Sequence, residues 1–350
     1  MRLSRDELKS LMKNKLMAAG LHEDQAEETS EILVWSDERG YHSHGSVRVE
    51  YYSERIFKGG ITVDPKMEWK QTGPSTGIFE GDNGIGYVAA KRSMEYAIEM
   101  AKKTGVGIAG CAHMSHTGSI GYYSEMAAQE GMVAITMCQS DPMAVPVGGI
   151  DPYYGTNPIS FAAPTADGRT VVFDMATTVQ AWGKILDKRS RGESIPDTWA
   201  VDEKGVPVTD PNKVNALLPI AGAKGYGLMM LVDVFSGILM GVPFGGHVSS
   251  MYHDLSKGRD LGQISIVLNP AYFCGEDQFK KNMAQSIDDL GAMKTAPGYD
   301  KVYYPGERAE LRKEKQYAEG GIDVADSIYK YLISDDIHYD RYDHKNRFAD

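Results

Sequence analysis

Residues 84–89, Gly84-Ile85-Gly86-Tyr87-Val88-Ala89, spell G-x-G-x-x-A between a possible strand and a helical stretch. A Rossmann fold carries its phosphate-binding turn in that position. The motif works only with a second part, an acidic residue about 20 positions on that holds the ribose. The next β-rich run is 106–111, and no Asp or Glu stands between Glu99 and Glu125. The fingerprint therefore fails its own context. These glycines read as a turn before a helix, and a doubly wound parallel sheet is not expected.

The remaining pattern falls into blocks. Ser4-Arg5-Asp6-Glu7 is a capping box followed by Leu8, Leu11, Met12 and Leu16 at helical spacing, with Gly20 as the stop. Further helices are expected over 24–39 and from Ser46 to Lys58. The middle turns β-rich, with runs at 76–80, 106–111, 132–138, 159–163 and 170–173. Helical patterns over 88–103 and 120–129 separate some of them. Residues 199–206 resemble a hairpin. A helix from Lys224, a strand over 263–268 and helices in the last 75 residues follow. At roughly 100–200 residues per domain, 350 residues suggest two interleaved domains. We divide the chain into a helical segment 1–70, a sheet-bearing part 71–220, a helix-rich part 221–336 that packs with the first, and a tail 337–350.

A net charge of −11 argues against a nucleic-acid partner, which needs a basic face, yet leaves room for a small anion. The longest apolar run, 226–241, is too short to span a bilayer and contains Asp233, so a buried core helix is expected rather than membrane contact. The start of the chain is charged and amphipathic, unlike a secretory signal. Cys111, Cys138 and Cys274 are scattered and odd in number, as in a reduced cytoplasmic protein with buried thiols.

Two segments concentrate chemistry. In His42-Ser43-His44-Gly45-Ser46-Val47-Arg48-Val49-Glu50-Tyr51-Tyr52, residues 44, 48 and 52 are four apart, and four residues turn a helix by about 400°. His44, Arg48 and Tyr52 would then share one face near a helix entry, where a guanidinium can hold a carboxylate bidentately. In Cys111-Ala112-His113-Met114-Ser115-His116-Thr117-Gly118, a loop is expected to follow a strand, a good place for an acid/base histidine. A solvated Arg48 and structural loop histidines are the ordinary readings. A metal site built on His42, His44, His113, His116 and Cys111 is the rival. It matches no zinc spacing, since HExxH and CxxC are absent, so no metal is expected.

Several stretches carry a resemblance that spans nearly the whole chain: Ser43-His44-Gly45 with Arg48-Val49-Glu50-Tyr51-Tyr52; Gln139-Ser140-Asp141-Pro142-Met143; Gly155-Thr156-Asn157-Pro158; Phe173-Asp174-Met175-Ala176-Thr177-Thr178-Val179-Gln180-Ala181-Trp182-Gly183-Lys184; Lys224-Gly225-Tyr226-Gly227-Leu228; and Tyr303-Tyr304-Pro305-Gly306. The chain resembles the malate/L-lactate dehydrogenase family that lacks a Rossmann fold. The resemblance implies an α+β fold, with helical N- and C-terminal parts packed around a non-Rossmann mixed β-sheet that binds NAD. It implies a homodimer acting on a small 2-hydroxy acid. His116 matches the family's proton acceptor. His44 and Arg48 match its substrate pocket, as do Tyr52 and Asp141 more loosely. Ser140, Asp174, Met175, Ala176, Lys224, Gly225, Gly306, Glu307 and Arg308 match cofactor-contacting positions. A carboxylate at Asp174 suits ribose hydroxyls and would repel a 2′-phosphate, which favours NAD over NADP. The ordinary role for Asp174 is an N-cap of the next helix. Lys224-Gly225 at a helix start suits a pyrophosphate.

Overall fold

The computed structural model describes residues 1–343. The chain enters as β1 (Arg2–Leu3), α1 (Arg5–Ala18), α2 (Glu23–Glu38) and α3 (Arg48–Phe57). The capping box forms in full: Ser4 accepts from the Glu7 N–H, and the Glu7 carboxylate accepts from the Ser4 N–H. Such a cap is worth about 1 kcal/mol. Then come β2 (Glu68–Gly73), β3 (Thr76–Glu80), α4 (Gly86–Thr104), β4 (Val106–Met114), α5 (Gly121–Gln129), β5 (Val133–Cys138), β6 (Ile159–Pro164) and β7 (Thr170–Met175). They are followed by α6 (Trp182–Ser190), β8 (Ala200–Val201), β9 (Ala216–Leu217), α7 (Ala223–Asp233) and β10 (Leu261–Leu268). The described chain closes with α8 (Glu276–Gly291), α9 (Glu307–Ala318), β11 (Ile322–Asp323) and α10 (Asp326–Ile333).

Seven strands form one mixed sheet in the order β2-β3-β4-β10-β5-β6-β7. Only β3 and β4 run parallel, joined through α4; every other neighbouring pair in this sheet is antiparallel. Alternate residues face opposite ways, as strand geometry requires. Ala109, Cys111, Ala134, Cys138 and Val267 join the core shared with α1–α4 and α10. Ile108, Ile135, Met137, Ile264 and Ile266 pack with Val232 and Phe235 of α7 and the turn after it. A sheet covered on both faces reads as nearly continuous apolar runs, which is why those strands stood out in the sequence. The main core takes Leu8, Met12 and Leu16 from α1, Ile32 and Leu33 from α2, and Tyr331 and Leu332 from α10. Helical parts from both ends thus pack on one sheet, as the resemblance implied. A separate core of Tyr154, Trp182, Ile185, Leu217 and Met229 supports the segment between β5 and α7.

Several expectations need correction. Residues 226–241 are not wholly buried. The helix widens into a π-turn over Val234–Ile238, and Met230, Leu231, Ile238 and Leu239 are exposed at 49%, 38%, 49% and 59%. The strand expected to stop at Cys111 continues to Met114, so His113 belongs to β4 and not to a loop. The hairpin expected over 199–206 forms, with Asp202 N–H donating to Val206 O and Val201 bridging Pro207, and Ala200–Val201 pair on their other edge with Ala216–Leu217. Cys274 is exposed while Cys111 and Cys138 are buried. Of the tail, 344–350 lie outside the described residues. Arg341 meets Glu50, and the N–H groups of Arg341 and Tyr342 donate to Glu54, so residues 341–342 pack on α3.

Candidate active site

The glycine turn of residues 84–86 opens α4 and packs against the chain itself. A Cβ on Gly86 would stand 2.2 Å from the Ser115 carbonyl oxygen and 2.5 Å from that of His116. The Gly86 N–H donates to Ser115 Oγ at 2.9 Å. The α4 N-terminus is therefore filled by the segment that carries His116, which Gly86 admits, while Gly84 lies against the side chains of Met67 and Pro65.

His116 sits just past the end of β4. Its Nδ1 lies 2.7 Å from the Tyr52 hydroxyl, which lies 2.9 Å from the Tyr87 hydroxyl. Tyr52 and Tyr87 are fully buried. The His44 ring stacks on His116 with centroids 5.8 Å apart. Arg48 donates from Nε to the Ser43 carbonyl at 2.6 Å and from Nη1 to the Tyr252 hydroxyl at 2.8 Å. The four residues expected together are together, by a different local route. His44 lies in a short 3-10 turn, His42–His44, and Gly45 (φ −101°, ψ −142°) breaks the path before α3 begins at Arg48. A Cβ at Gly45 would fall 2.1 Å from an Asp37 carboxylate oxygen, so Gly45 lets the turn close over Asp37.

Burial and cations keep the site's imidazoles neutral. Desolvation first, and Arg48 second, push His44 down to about 3. Desolvation, then His44, Arg48 and Arg259, hold His116 well below the usual histidine range. A neutral imidazole carries a hydrogen on one ring nitrogen and can accept a proton on the other.

Asp141 does not line this pocket in the expected way. Its Oδ2 accepts from the Met251 N–H at 3.1 Å and its Oδ1 from Arg259 Nη2 at 3.3 Å, with both side chains nearly fully buried. The Met251 carbonyl accepts from the Tyr51 hydroxyl, and the next residue, Tyr252, meets Arg48. Asp141 thus clamps the loop that orients Arg48. Sequence reasoning missed Arg259, Tyr252 and Tyr87. Only Tyr87 carried a signal, its place inside the glycine motif.

The positions matched to cofactor contacts form a connected band. Ser140 Oγ accepts from the Thr156 N–H at 2.9 Å, and a Cβ on Gly155 would meet that oxygen at 2.2 Å. The Thr156 carbonyl accepts from Thr177 N–H, just after Met175-Ala176, and the Thr177 carbonyl accepts from Ile220 N–H. A Cβ on Gly225 would fall 1.9 Å from the Ile220 carbonyl oxygen. Lys224, exposed in the first turn of α7, makes no ion pair among the described residues. At the far end, Asp174 closes β7. It caps no following helix, but accepts from Gly121 N–H at the start of α5 at 2.8 Å. Desolvation pushes its carboxyl up to about 6. Gly306, left-handed at φ 97°, packs against the Val172 backbone, and Val172 N–H donates to the Pro305 carbonyl. The side chains of the next two residues turn to neighbours: Glu307 pairs with Lys301, and Arg308 lies over Tyr303.

Among the described residues no three His, Cys, Asp or Glu groups converge on a point that could hold a metal. His113 pairs with Glu80 and His42 with Asp37. No described helix is long and apolar enough to cross a membrane.

This arrangement sets a neutral imidazole beside an oriented guanidinium, on a mixed sheet without a Rossmann turn. The malate/L-lactate dehydrogenase family pattern matches residues 3–333, and the chain belongs to that family of oxidoreductases. It is 53% identical over 349 residues to a ureidoglycolate dehydrogenase (NAD(+)) of Escherichia coli K12, covering 100% of both chains. It is 36% identical over 344 residues to a malate dehydrogenase of Pyrococcus abyssi, covering 95% of this chain and 92% of that one. The solved sulfolactate dehydrogenase of Methanocaldococcus jannaschii superposes with a TM-score of 0.88 at 33% identity, over 95% of each chain.

Proposed function

We propose that this protein oxidises (S)-ureidoglycolate to oxalurate, a step of allantoin breakdown, with NAD as the oxidant. The observation that carries this reading is the grouping of His44, stacked on His116, with Arg48, whose charge acts on both rings and helps keep His116 neutral. The 53% identity to a ureidoglycolate dehydrogenase supports the choice of substrate.

The residues present fit the cofactor. Asp174 offers a desolvated carboxylate to ribose hydroxyls, Lys224 and the α7 N-terminus suit a pyrophosphate, and the Ser140 and Gly306 turns leave backbone close at hand. Bound NAD supplies the acceptor for the C2 hydride. Arg48 pairs with the substrate carboxylate and sets the orientation of C2. His116 takes the hydroxyl proton at Nε2 and returns it in the reverse direction. His44 covers the His116 ring and excludes water. The Arg259 guanidinium, fully buried, leaves Nη1 without a hydrogen-bond partner among the described residues, a donor for the carbonyl oxygen of a ureido group.

Supplied with a panel of hydroxy acids and NAD, the enzyme should reduce NAD fastest on ureidoglycolate. Preference for malate, lactate or sulfolactate would assign it to a sibling activity instead. A His116→Ala enzyme should lose about 10²–10⁴-fold in turnover, the range for a missing general base. Near-normal turnover would remove His116 from that role.

The protein acts as a homodimer in the cytoplasm. The exposed apolar face of Met230, Leu231, Ile238 and Leu239 supports association, and free thiols suit a reducing compartment. A Leu239→Glu variant should sediment as a monomer; an unchanged sedimentation coefficient would place the contact elsewhere.

A further inference from the structure

We infer that Tyr342 is a positioning residue for the substrate: its ring wedges the Tyr252 phenol and thereby aims the Arg48 guanidinium. This inference rests on the reading of Arg48 as the partner of the substrate carboxylate.

The Tyr252 hydroxyl accepts from Arg48 Nη1 at 2.8 Å. A phenol carries that oxygen at its far end, so a modest turn about χ1 takes it out of hydrogen-bond reach. The backbone around Tyr252 is irregular, with no helix or strand between the 3-10 turn Gly245–His247 and β10. The direction of the hydroxyl therefore depends on what packs against the ring.

Two other tyrosines do so. Tyr51 stands edge-on to Tyr252, with centroids 5.7 Å apart. Tyr342 lies nearly parallel to Tyr252, with planes 20° apart and centroids 6.3 Å apart. Tyr342 also meets Tyr51 edge-on at 5.7 Å. The three rings close a triangle of edge-on and offset-parallel contacts, the arrangements that aromatic pairs prefer. Tyr51 belongs to α3, which presents Arg48 in its first turn. Tyr342 comes from the segment that follows α10.

That segment is fastened on both sides of the Arg48–Tyr252 bond. On α3, Arg341 pairs with Glu50, and the N–H groups of Arg341 and Tyr342 each donate to Glu54 at 3.0 Å. Both carboxylates are buried. On the loop, the Asp343 carboxylate accepts from the Asp254 N–H at 3.1 Å. A segment tied to α3 alone would support only the helix. One tied to both the helix and the loop sets the spacing between them, and the Arg48–Tyr252 bond spans that spacing.

Tyr342→Ala removes the wedge while Arg48, Tyr252 and His116 stay in the chain. Its KM for the hydroxy acid should rise about 10-fold, the scale of two lost aromatic contacts. Its KM for NAD should stay at the wild-type value, which also shows that the variant is folded. Tyr342→Phe keeps the ring and should restore most of the affinity. Tyr252→Phe should show a similar rise, and Tyr342→Ala should add little to it, because no hydroxyl is left to aim. Equal rises in both KM values, additive losses in the double variant, or no rescue by phenylalanine at 342 would each overturn the proposal.

A second measurement does not depend on activity. A crystal structure of Tyr342→Ala should lack the 2.8 Å link from Arg48 to Tyr252. An intact link overturns the proposal whatever the kinetics. An unchanged hydroxy-acid KM in Arg48→Gln would instead overturn the carboxylate reading, while a lost link in Tyr342→Ala would still support Tyr342 as the residue that aims Arg48.

Discussion

The His44 imidazole lies over that of His116, with ring planes 28° from parallel and centroids 5.8 Å apart. Two imidazolium rings at that distance would repel, and Arg48 adds a third cation to the cluster. Neutral rings are the consequence, and a neutral His116 is ready to accept a proton without first losing one. For hydroxy-acid oxidation, the acid limb of kcat/KM should therefore lie well below pH 6.5. A limb at or above that value, in a pH series with ureidoglycolate, would contradict the arrangement. A substrate carboxylate beside Arg48 offsets the repulsion, so the limb in kcat should lie higher than in kcat/KM.

The same pair makes the fold acid-sensitive. Both histidines titrate lower when folded than the unfolded value of 6.5, His44 at about 3. The unfolded chain therefore binds protons first as pH falls. Their contribution is complete above pH 6.5 and declines toward pH 3, by up to about 1.4 kcal/mol per pH unit for each group. Denaturant midpoints measured from pH 7 to pH 4 should fall less steeply for His44→Gln than for the wild type.

Arg48 is aimed by two fixed partners, the Ser43 carbonyl and the Tyr252 hydroxyl. Arg48→Gln should lower kcat/KM on the order of 10²-fold, since hydrogen bonds to charged groups carry about 1.5–3 kcal/mol each. Arg48→Lys should recover little of that, because an ammonium cannot hold two neighbours and a carboxylate in one plane. Full recovery by lysine would mean the fork geometry is not used.

Asp141 and Arg259 form a buried pair, and removing one partner leaves an uncompensated charge. Asp141→Ala should lose about 3–5 kcal/mol of stability, read from urea unfolding. An inactive Asp141→Ala enzyme of wild-type stability would show instead that the carboxylate serves the substrate directly.

Asp174 keeps an acceptor for Gly121 N–H if replaced by Asn, but loses its charge. Asp174→Asn should raise the KM for NAD about 10-fold or more with kcat largely kept, by the same charged-hydrogen-bond scale. Its KM for NADP should fall relative to that for NAD, since the charge that repels a 2′-phosphate is gone. Parallel KM values for the two cofactors check this.

Much of the frame was legible. Strands with both faces covered read as apolar runs, and the capping box marked α1 to the residue. The β2 strand was not legible, because its residues 68–73 are mostly polar and partly exposed at the sheet edge. Nor was α6, whose residues Trp182–Ser190 bury only Trp182 and Ile185 and so leave a weak periodic signal. The extension of β4 through His113 was hidden because that residue adopts φ 49°.

Local chemistry in the chain determined which residues could act: a histidine after a strand, an arginine at a helix start, and a glycine motif lacking its acidic partner. Those are short-range facts, set by a few neighbouring side chains. What each residue touches was decided only by folding. Tyr52 and Tyr87 are 35 positions apart, Arg48 and Tyr252 are 204 apart, and Asp141 and Arg259 are 118 apart. No local pattern encodes such pairs, because their meeting depends on how the sheet orders its strands and on which loops its covered faces leave room for.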